Sequence, residues 1–338
     1  MDEGRHEGPA AVHRTGIPSP PYVGIATFLK LPFVTAPGHR SWDFLVLGIP
    51  YDEGASNRPG TRFGPRAVRN ASTLYSYEGG AELFDVELGR TILHGARVGD
   101  LGDVIVWPLD SDANRAGMVS AAAEIVRAGA VPVTIGGDHS VSASVLEGCR
   151  LARPDAPTPH LVHLDAHMDF DSYLTRYAHG TPVRIAVEDA LVAGVTEVGI
   201  RGLNSGETDW VEAREWGVRI VTAREFLAEG VGRGMEKVLS LVPAGTPLYL
   251  SIDIDAFDPG IAPGTGTPEP GGLSYRDGRA LIGALATHGN VVGVDLVEVN
   301  PSYDHGEITA VLAARLLIDA MGAVWDARLA TAKGSPGQ

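Results

Sequence analysis

Short runs of β-branched residues alternate with amphipathic stretches along almost the whole of this 338-residue sequence. The alternation is typical of a mostly parallel β-sheet covered by helices, because neighbouring parallel strands are joined by crossover helices. Strands are predicted at 44–48, 96–101, 131–136, 160–164, 197–201, 218–221, 248–252 and 291–297. Helices are predicted at 112–127, 140–151, 208–216, 223–229, 235–241, 275–288 and 308–321. The sequence therefore predicts an α/β protein with several strands buried on both faces.

The order of these segments predicts a single domain over 21–325, because no repeat or linker divides it. Residues 1–20 mix charge, glycine and proline without the apolar segment of a secretory signal, so we expect a mobile N-terminal arm. Residues 326–338 are predicted to be a flexible tail. No apolar run is expected to reach the length that spans a bilayer, and no membrane partner is predicted.

The formal net charge of −15 argues against a nucleic-acid partner, because phosphate backbones are bound by basic patches. It would mildly favour a cationic small molecule. Cys149 is the only cysteine in the sequence, so no intrachain disulfide can form. A reducing compartment fits this composition, and the cytoplasm is the predicted location.

Acids and histidines follow four of the predicted strands at the point where each strand ends. They are His139 after the strand at 131–136, then Asp165, His167 and Asp169, then Asp253 and Asp255, and finally Glu298 after the strand at 291–297. In open parallel sheets, ligands bind outside the carboxyl ends of the strands, so these groups are expected to meet in one crevice. Alternate residues of extended chain project to one side, which would gather the ligands of each segment.

Six of these side chains form a predicted metal-binding set of four carboxylates and two imidazoles: His139, Asp165, His167, Asp169, Asp253 and Asp255. Four buried like charges would repel strongly without cations. The set holds too many acids for a tetrahedral zinc site and suits a harder ion such as manganese. Six ligands exceed the need of one catalytic ion, so two bridged ions that activate a shared water are predicted.

Other polar residues near these strand ends are predicted to have structural roles. Asp138 precedes a helix and is interpreted as a cap or turn residue. His163 alternates with apolar neighbours and is interpreted as a satisfied core histidine, and Cys149 as a packing residue. The glycine-rich segments 58–66 and 264–272 match no phosphate-binding motif and are expected to form loops around a pocket.

Several motifs resemble those of the ureohydrolase family, which includes arginase and agmatinase. The strings are GGDHS at 136–140, DAHMD at 165–169, SIDIDAFDP at 251–259 and EVNP at 298–301, with flanking matches at 58–69, 179–184, 199–202 and 262–274. The resemblance implies a three-layer αβα fold with a central eight-stranded, mostly parallel sheet. It also implies two manganese ions per chain and a homo-oligomer, either a trimer or a hexamer.

The same resemblance implies a role for each matching residue. One ion would be held by His139, Asp165, Asp169 and Asp253, and the other by Asp165, His167, Asp253 and Asp255, with Asp165 and Asp253 bridging. Glu298 would pair with the guanidinium of the substrate. His179 would pass a proton to the leaving amine, and Asp255 would relay a proton from the nucleophile.

The flanking segments resemble the agmatinase branch, which includes guanidinobutyrase and proclavaminate amidinohydrolase, more than arginase. A guanidino compound is therefore the expected substrate, cleaved to urea and a primary amine. Agmatine is favoured, and 4-guanidinobutyrate or another guanidino acid is the alternative. Glu207 and Asp209 are candidates to attract the amine of agmatine, whereas Arg201 is the candidate to bind a substrate carboxylate.

Two other functions compete with this hypothesis. A deacetylase of the related fold uses a single zinc ion and would lack the second ion's ligands, whereas both His139 and Asp169 are present. A regulatory homologue that binds metal without catalysis would usually lack a ligand, Glu298 or His179, and all of these are present. The sequence therefore favours the enzyme over both.

Overall fold

The computed structural model describes residues 20–39, 41–76 and 80–334, so the predicted arm at 1–20 lies outside the described residues apart from Pro20. The strands are β1 (Phe44–Gly48), β2 (Leu83–Asp85), β3 (Arg90–Ile92), β4 (Val98–Asp103), β5 (Val131–Ile135), β6 (His160–Leu164), β7 (Gly194–Ile200), β8 (Arg219–Thr222), β9 (Pro247–Asp253) and β10 (Asn290–Val297). The α-helices are α1 (Gly64–Ser72), α2 (Ser111–Arg127), α3 (Val141–Ala152), α4 (Pro182–Glu188), α5 (Glu207–Glu215), α6 (Ala223–Leu227), α7 (Val231–Leu241), α8 (Tyr275–His288) and α9 (Ile308–Gly334).

Eight of the strands form one sheet in the order β4-β1-β5-β10-β9-β6-β7-β8, and all neighbours in it are parallel. The other two strands, β2 and β3, form a separate antiparallel hairpin. The predicted fold class, a three-layer arrangement around an eight-stranded parallel sheet, is confirmed. The order places β5, β10, β9 and β6 side by side at the centre, so the four predicted polar strand ends lie at one edge.

Helices cover both faces of the sheet because successive side chains of each buried strand point to opposite sides. In β1, Phe44 and Val46 join the core beneath α1, α7, α8 and α9, whereas Leu45 and Leu47 join the core beneath α2, α3 and α4. Every residue of β1 is buried, as expected for a central strand of a sheet covered on both faces.

The last helix differs from the prediction in length and in apolar content. Helix α9 continues to Gly334, past the expected end at 321, so the prediction of a flexible tail at 326–338 is wrong as far as residue 334. Its segment Ile308–Ala332 is long and apolar enough to cross a bilayer, contrary to the expectation for this sequence. Within the described residues, 72% of the most apolar part of this segment is buried, and the helix packs on α1, α8 and β10. It is therefore a core helix of the domain.

Two short helices were not predicted because their sequences resemble loops. Helix α1 begins at Gly64 with Pro65 in its first turn, inside a segment expected to be a glycine-rich loop. Helix α4 likewise begins at Pro182. Proline suits the first turn of a helix, where its missing N–H has no partner to lose and its φ is already helical.

Candidate metal centre

The ends of β5, β6 and β9 bring a first group of buried ligands around one point. Nδ1 of His139 lies 3.0 Å from Oδ2 of Asp165, 3.0 Å from Oδ2 of Asp169 and 3.1 Å from Oδ2 of Asp253. All four side chains are at most 8% exposed. One imidazole nitrogen and three carboxylate oxygens therefore converge at a distance that one cation can bridge.

A second group lies beside the first and shares Asp165 with it. Nδ1 of His167 is 3.4 Å from Oδ1 of Asp165 and 3.1 Å from Oδ2 of Asp255. Asp165 thus offers one oxygen to each group, as expected of a bridging ligand. The other predicted bridge, Asp253, contacts the first group through Oδ2, while its Oδ1 accepts the N–H of Asp255 at 2.7 Å.

Two of the carboxylate oxygens that face the first point lack hydrogen-bond partners among the described residues. Oδ2 of Asp165 and Oδ2 of Asp169 are buried and accept no hydrogen bond from the described residues. No lysine or arginine within the described ranges forms an ion pair with any of the six predicted ligands. Since orphaned buried carboxylate oxygens are costly, their convergence fits a bound cation.

Hydrogen bonds behind His139 fix which of its nitrogens faces the acids. The hydroxyl of Ser251 donates to Oδ1 of Asp295 at 2.6 Å, and Tyr249 donates to Oδ2 at 2.7 Å. Because a serine has a single hydroxyl proton, its oxygen accepts at its 2.8 Å contact with Nε2 of His139. The proton of the imidazole is therefore on Nε2, and the lone pair of Nδ1 points at three carboxylate oxygens. Without a cation, the lone pair and the carboxylate oxygens would repel one another. A metal ion bound between them would turn this repulsion into ligation.

The electrostatics of the acids lead to the same conclusion. Burial raises the pKa of Asp253 well above its ordinary range, and the charges of Asp255 and Asp165 raise it further. Neighbouring carboxylates cannot all stay ionised in a buried site unless positive charge is supplied. The chemistry and geometry of the six residues thus fit two metal ions.

His163 corrects one of the structural interpretations. It is buried as predicted, at 1% exposure, but neither ring nitrogen makes a hydrogen bond within the described residues. Its Nε2 lies 3.1 Å from Oδ2 of Asp165, and its ring lies against that of His139 with centroids 4.8 Å apart. His163 is therefore an unsatisfied histidine beside the first ligand group rather than a satisfied core residue.

Glu298 lies next to the metal groups without belonging to either. Its Oε1 accepts the backbone N–H of His139 at 3.0 Å and lies 3.1 Å from Nδ1 of His179. Glu298 has a φ of 64° and Asp169 a φ of 48°, a left-handed conformation that costs about 1–3 kcal/mol per residue and is concentrated at functional sites. Strain at two residues that line the same crevice supports a functional role for both.

His179 is held between Glu298 and a loop that the sequence did not link to it. Burial of the ring would lower the pKa of His179, but the hydrogen bond and the charge of Glu298 outweigh burial and raise it to about 9. On the far side of the ring, the backbone N–H of Ser56 points at Nε2 at 3.2 Å. That donor opposes the effect of Glu298, because it favours the neutral ring.

Asp138 has the structural role predicted for it and holds the same loop. Its Oδ1 accepts the N–H of Ser140 at 3.0 Å and also the hydroxyl of Ser140, just before α3 begins. Its Oδ2 accepts the N–H of Gly54 at 2.8 Å. Burial, and then the charge of Glu298, raise the pKa of Asp138 to about 7.

Arg201 does not lie where a substrate-binding residue was predicted. Its guanidinium donates to the main chain of a distant segment, with Nη2 at 2.7 Å from the carbonyl oxygens of both Asp255 and Glu269. Further contacts of 3.2 Å join Nη1 to the carbonyl oxygens of Gly199 and Ala256. These contacts use the guanidinium N–H groups that would otherwise bind a carboxylate. Arg201 therefore holds the main chain of the 255–270 segment in place instead of binding substrate.

The acidic pair predicted to attract an amine is also placed differently. Asp209 is buried at 3% exposure, accepts the N–H of Ser172 at 3.2 Å and lies 3.6 Å from Arg184. Glu207 begins helix α5 and is exposed. A different acid faces the metal groups: Oε1 of Glu269 lies 4.0 Å from Nε2 of His167.

The family model of the arginase family matches residues 42–322, which is most of the chain. The chain belongs to the arginase family. Its resemblance to ureohydrolases is thereby confirmed, and with it the class of reaction: this arginase-family member is an amidinohydrolase that acts on guanidino compounds.

Relatives of this arginase-family chain carry names for several guanidino substrates. Proclavaminate amidinohydrolase of Streptomyces clavuligerus is 40% identical over 88% of this chain and 92% of the relative. Its solved structure superposes with a TM-score of 0.81, covering 91% of this chain and 100% of that one. Guanidinopropionase of Pseudomonas aeruginosa is 36% identical over 89% and 92% of the two chains, and the mitochondrial agmatinase of Gallus gallus is 37% identical over 88% and 85%.

Proposed function

We propose that this protein is a two-manganese amidinohydrolase that cleaves a guanidino compound to urea and a primary amine. The observation that carries the proposal is the pair of buried ligand groups that share Asp165 and lie beside Glu298. His139, Asp165, Asp169 and Asp253 would hold one ion, and Asp165, His167 and Asp255 the other, with Asp253 as the second bridge. When bound, the ions would supply Lewis-acid polarisation of the substrate and of water.

The protein's own residues orient the substrate and move protons. The Glu298 carboxylate, anchored by the N–H of His139, presents a planar acceptor to a planar guanidinium. Nδ1 of His179 faces the same carboxylate, so the ring would lie next to a guanidinium held there, and its protonated form would donate a proton to the departing amine and become neutral. Both side chains are largely shielded from solvent, which strengthens these charged contacts.

Agmatine is the substrate that we propose first. Agmatine carries an ammonium group at the end remote from its guanidinium, and the Glu269 carboxylate faces the crevice near His167 at 27% side-chain exposure. An acid in this position would attract an ammonium group and repel a carboxylate. A guanidino acid is the second candidate, because relatives at 36–40% identity are named for such compounds.

Urea release from agmatine, 4-guanidinobutyrate and arginine, measured under one set of conditions, tests this proposal. Agmatine should give the highest kcat/KM, and Glu269→Gln should lower it about 10-fold without lowering that for 4-guanidinobutyrate. Glu236→Gln, which changes an exposed acid on α7, is the control and should leave all three values unchanged. A wild-type preference for 4-guanidinobutyrate would reject agmatine, and no urea from any of the three would argue against the reaction itself.

The cytoplasmic location, the homo-oligomeric state and the expectation of neither a nucleic-acid nor a membrane partner remain predictions. Light scattering of the purified protein would test the trimer and the hexamer directly. A monomer with full urea-releasing activity would contradict the predicted assembly.

A further inference from the structure

The loop at 54–57 contacts His179 on the side opposite Glu298. The backbone N–H of His179 donates to the carbonyl oxygen of Gly54 at 2.9 Å. Its ring nitrogen Nε2 lies 2.6 Å from the hydroxyl oxygen of Ser56 and 3.2 Å from the Ser56 amide nitrogen. The His179 side chain is 12% exposed, whereas Ser56 is exposed at the rim of the crevice.

These contacts decide which nitrogen of the neutral ring carries the proton. An amide N–H can only donate, so Nε2 of His179 acts as the acceptor towards Ser56. The hydroxyl can donate to the same lone pair at the shorter distance. The ring proton is then on Nδ1, and it points at Oε1 of Glu298. In the imidazolium, the form that can act as a general acid, Nε2–H donates instead to the hydroxyl oxygen of Ser56, and Nδ1–H still faces Glu298 next to the guanidinium position.

We propose that Ser56 is a positioning residue for His179: its hydroxyl and amide orient the imidazole so that its Nδ1–H faces Glu298 and the substrate. The inference rests on the proposed function, because it assigns a task to Ser56 in that reaction. Ser56 acts through His179 and does not touch the metal ligands. Its loss should therefore slow turnover and leave substrate affinity and metal content nearly unchanged.

The variant Ser56→Ala removes the hydroxyl and keeps the amide, and Ser56→Thr restores a hydroxyl. We expect Ser56→Ala to lower kcat about 10-fold with KM within twofold of wild type, because a general acid is effective only when it is oriented. Ser56→Thr should recover most of the loss. Asn57→Ala is the matched control: it removes a 3.4 Å contact of the same loop to the Gly266 carbonyl without touching His179, and kcat should stay near wild type.

Crystal structures of the manganese-loaded wild type and Ser56→Ala supply a readout that does not depend on turnover. The ring of His179 should leave hydrogen-bonding distance of Glu298 in Ser56→Ala and stay there in wild type. A kcat within twofold of wild type, an unmoved ring, or an equal loss in Asn57→Ala would overturn the role of Ser56. If wild type releases no urea, the proposed function fails, and the position of the ring still decides whether Ser56 orients it.

Discussion

Two clusters of buried acids among the described residues differ in what balances their charge: arginines pair with the acids of one, and no arginine or lysine pairs with the acids of the other. Between β2, α8 and α9, Asp85 and Asp319 lie with Arg279 and Arg315; we call these four residues the arginine cluster. Arg315 contacts Asp85 at 3.0 Å and Asp319 at 3.2 Å, and Arg279 also pairs with Asp85. The metal cluster, formed by the six predicted ligands, has no such cation among the described residues.

The difference is visible in single aspartates of similar burial. Burial would raise the pKa of Asp85, but the N–H of Leu88 and the charges of Arg279 and Arg315 outweigh it and lower the pKa. For Asp253, burial and neighbouring acids act together and raise the pKa well above its ordinary range. The first cluster is complete as folded, whereas the second needs positive charge from outside the chain.

The largest expected effect comes from removing an acid that faces the metal cluster. Asp253→Asn should lower kcat more than 1000-fold and reduce bound manganese, because a carboxylate oxygen of the first ligand group is lost. Urea release and elemental analysis of the same sample measure both quantities. Normal turnover in this variant would contradict the assignment of Asp253 as a ligand.

Glu298→Gln tests whether Glu298, which lies beside the metal cluster, binds substrate rather than metal. Because Glu298 belongs to neither ligand group, the variant should keep its manganese and lose turnover by about 100-fold to 1000-fold. The loss follows from replacing a charge-assisted contact with a neutral one. Loss of a metal ion in Glu298→Gln would show that the residue is a ligand instead.

Asp295→Asn tests the hydrogen bonds that orient His139. The variant should weaken binding of one manganese ion about 10-fold to 100-fold, because asparagine offers one acceptor oxygen where Asp295 offers two, so the hydroxyls of Ser251 and Tyr249 can no longer both donate to it and the direction of the Ser251 hydroxyl is no longer fixed. Titration calorimetry with manganese on the metal-free protein measures the change. Binding constants equal to those of wild type at both sites would show that Asp295 does not orient His139 for metal binding.

Asp85→Asn probes the arginine cluster and should change stability rather than catalysis. We expect the free energy of unfolding to fall by about 2 kcal/mol at pH 7, since charged hydrogen bonds are lost, with kcat unchanged. Because the pKa of Asp85 is lowered by folding, its contribution is present above the ordinary aspartate pKa near 4 and is lost as the pH falls below it. The difference between variant and wild type in urea denaturation should therefore stay nearly constant from pH 7 to about 5 and shrink as the pH falls below about 4.

Asp326→Asn is the control for this stability measurement. It removes a more exposed ion pair, between Asp326 of α9 and Arg90 of β3, and should cost less than 1 kcal/mol. An equal loss in both variants, or a loss of manganese from Asp85→Asn, would remove the distinction between the two clusters.

Local patterns made much of the metal cluster predictable. Asp165, His167 and Asp169 directly follow the buried strand β6, so the sequence alone places them at the edge of the sheet. Their division between the two ligand groups depends on the turn after β6, where Asp169 has a φ of 48°, and alternation did not predict it. Alternation did predict the burial of His163, but burial does not say what a ring contacts. The fold class was predictable for the same reason, because the strand and helix periodicities are local.

Contacts between distant segments were not predictable from these patterns. Arg201 donates to carbonyl oxygens of residues more than fifty positions later in the sequence. Ser56 contacts His179, which is 123 positions later in the sequence. A guanidinium or a hydroxyl has many possible partners, and only the folded backbone selects one. The apolar length of α9 and its continuation to Gly334 likewise depend on packing against α1 and α8.

The manganese content of the wild-type chain tests the central claim most directly. Metal-free protein loaded with manganese and freed of unbound ions should contain close to two ions per chain by elemental analysis, with urea release restored in proportion. Two ions would match the two ligand groups that share Asp165. A limit of one ion per chain, together with full activity, would contradict the account.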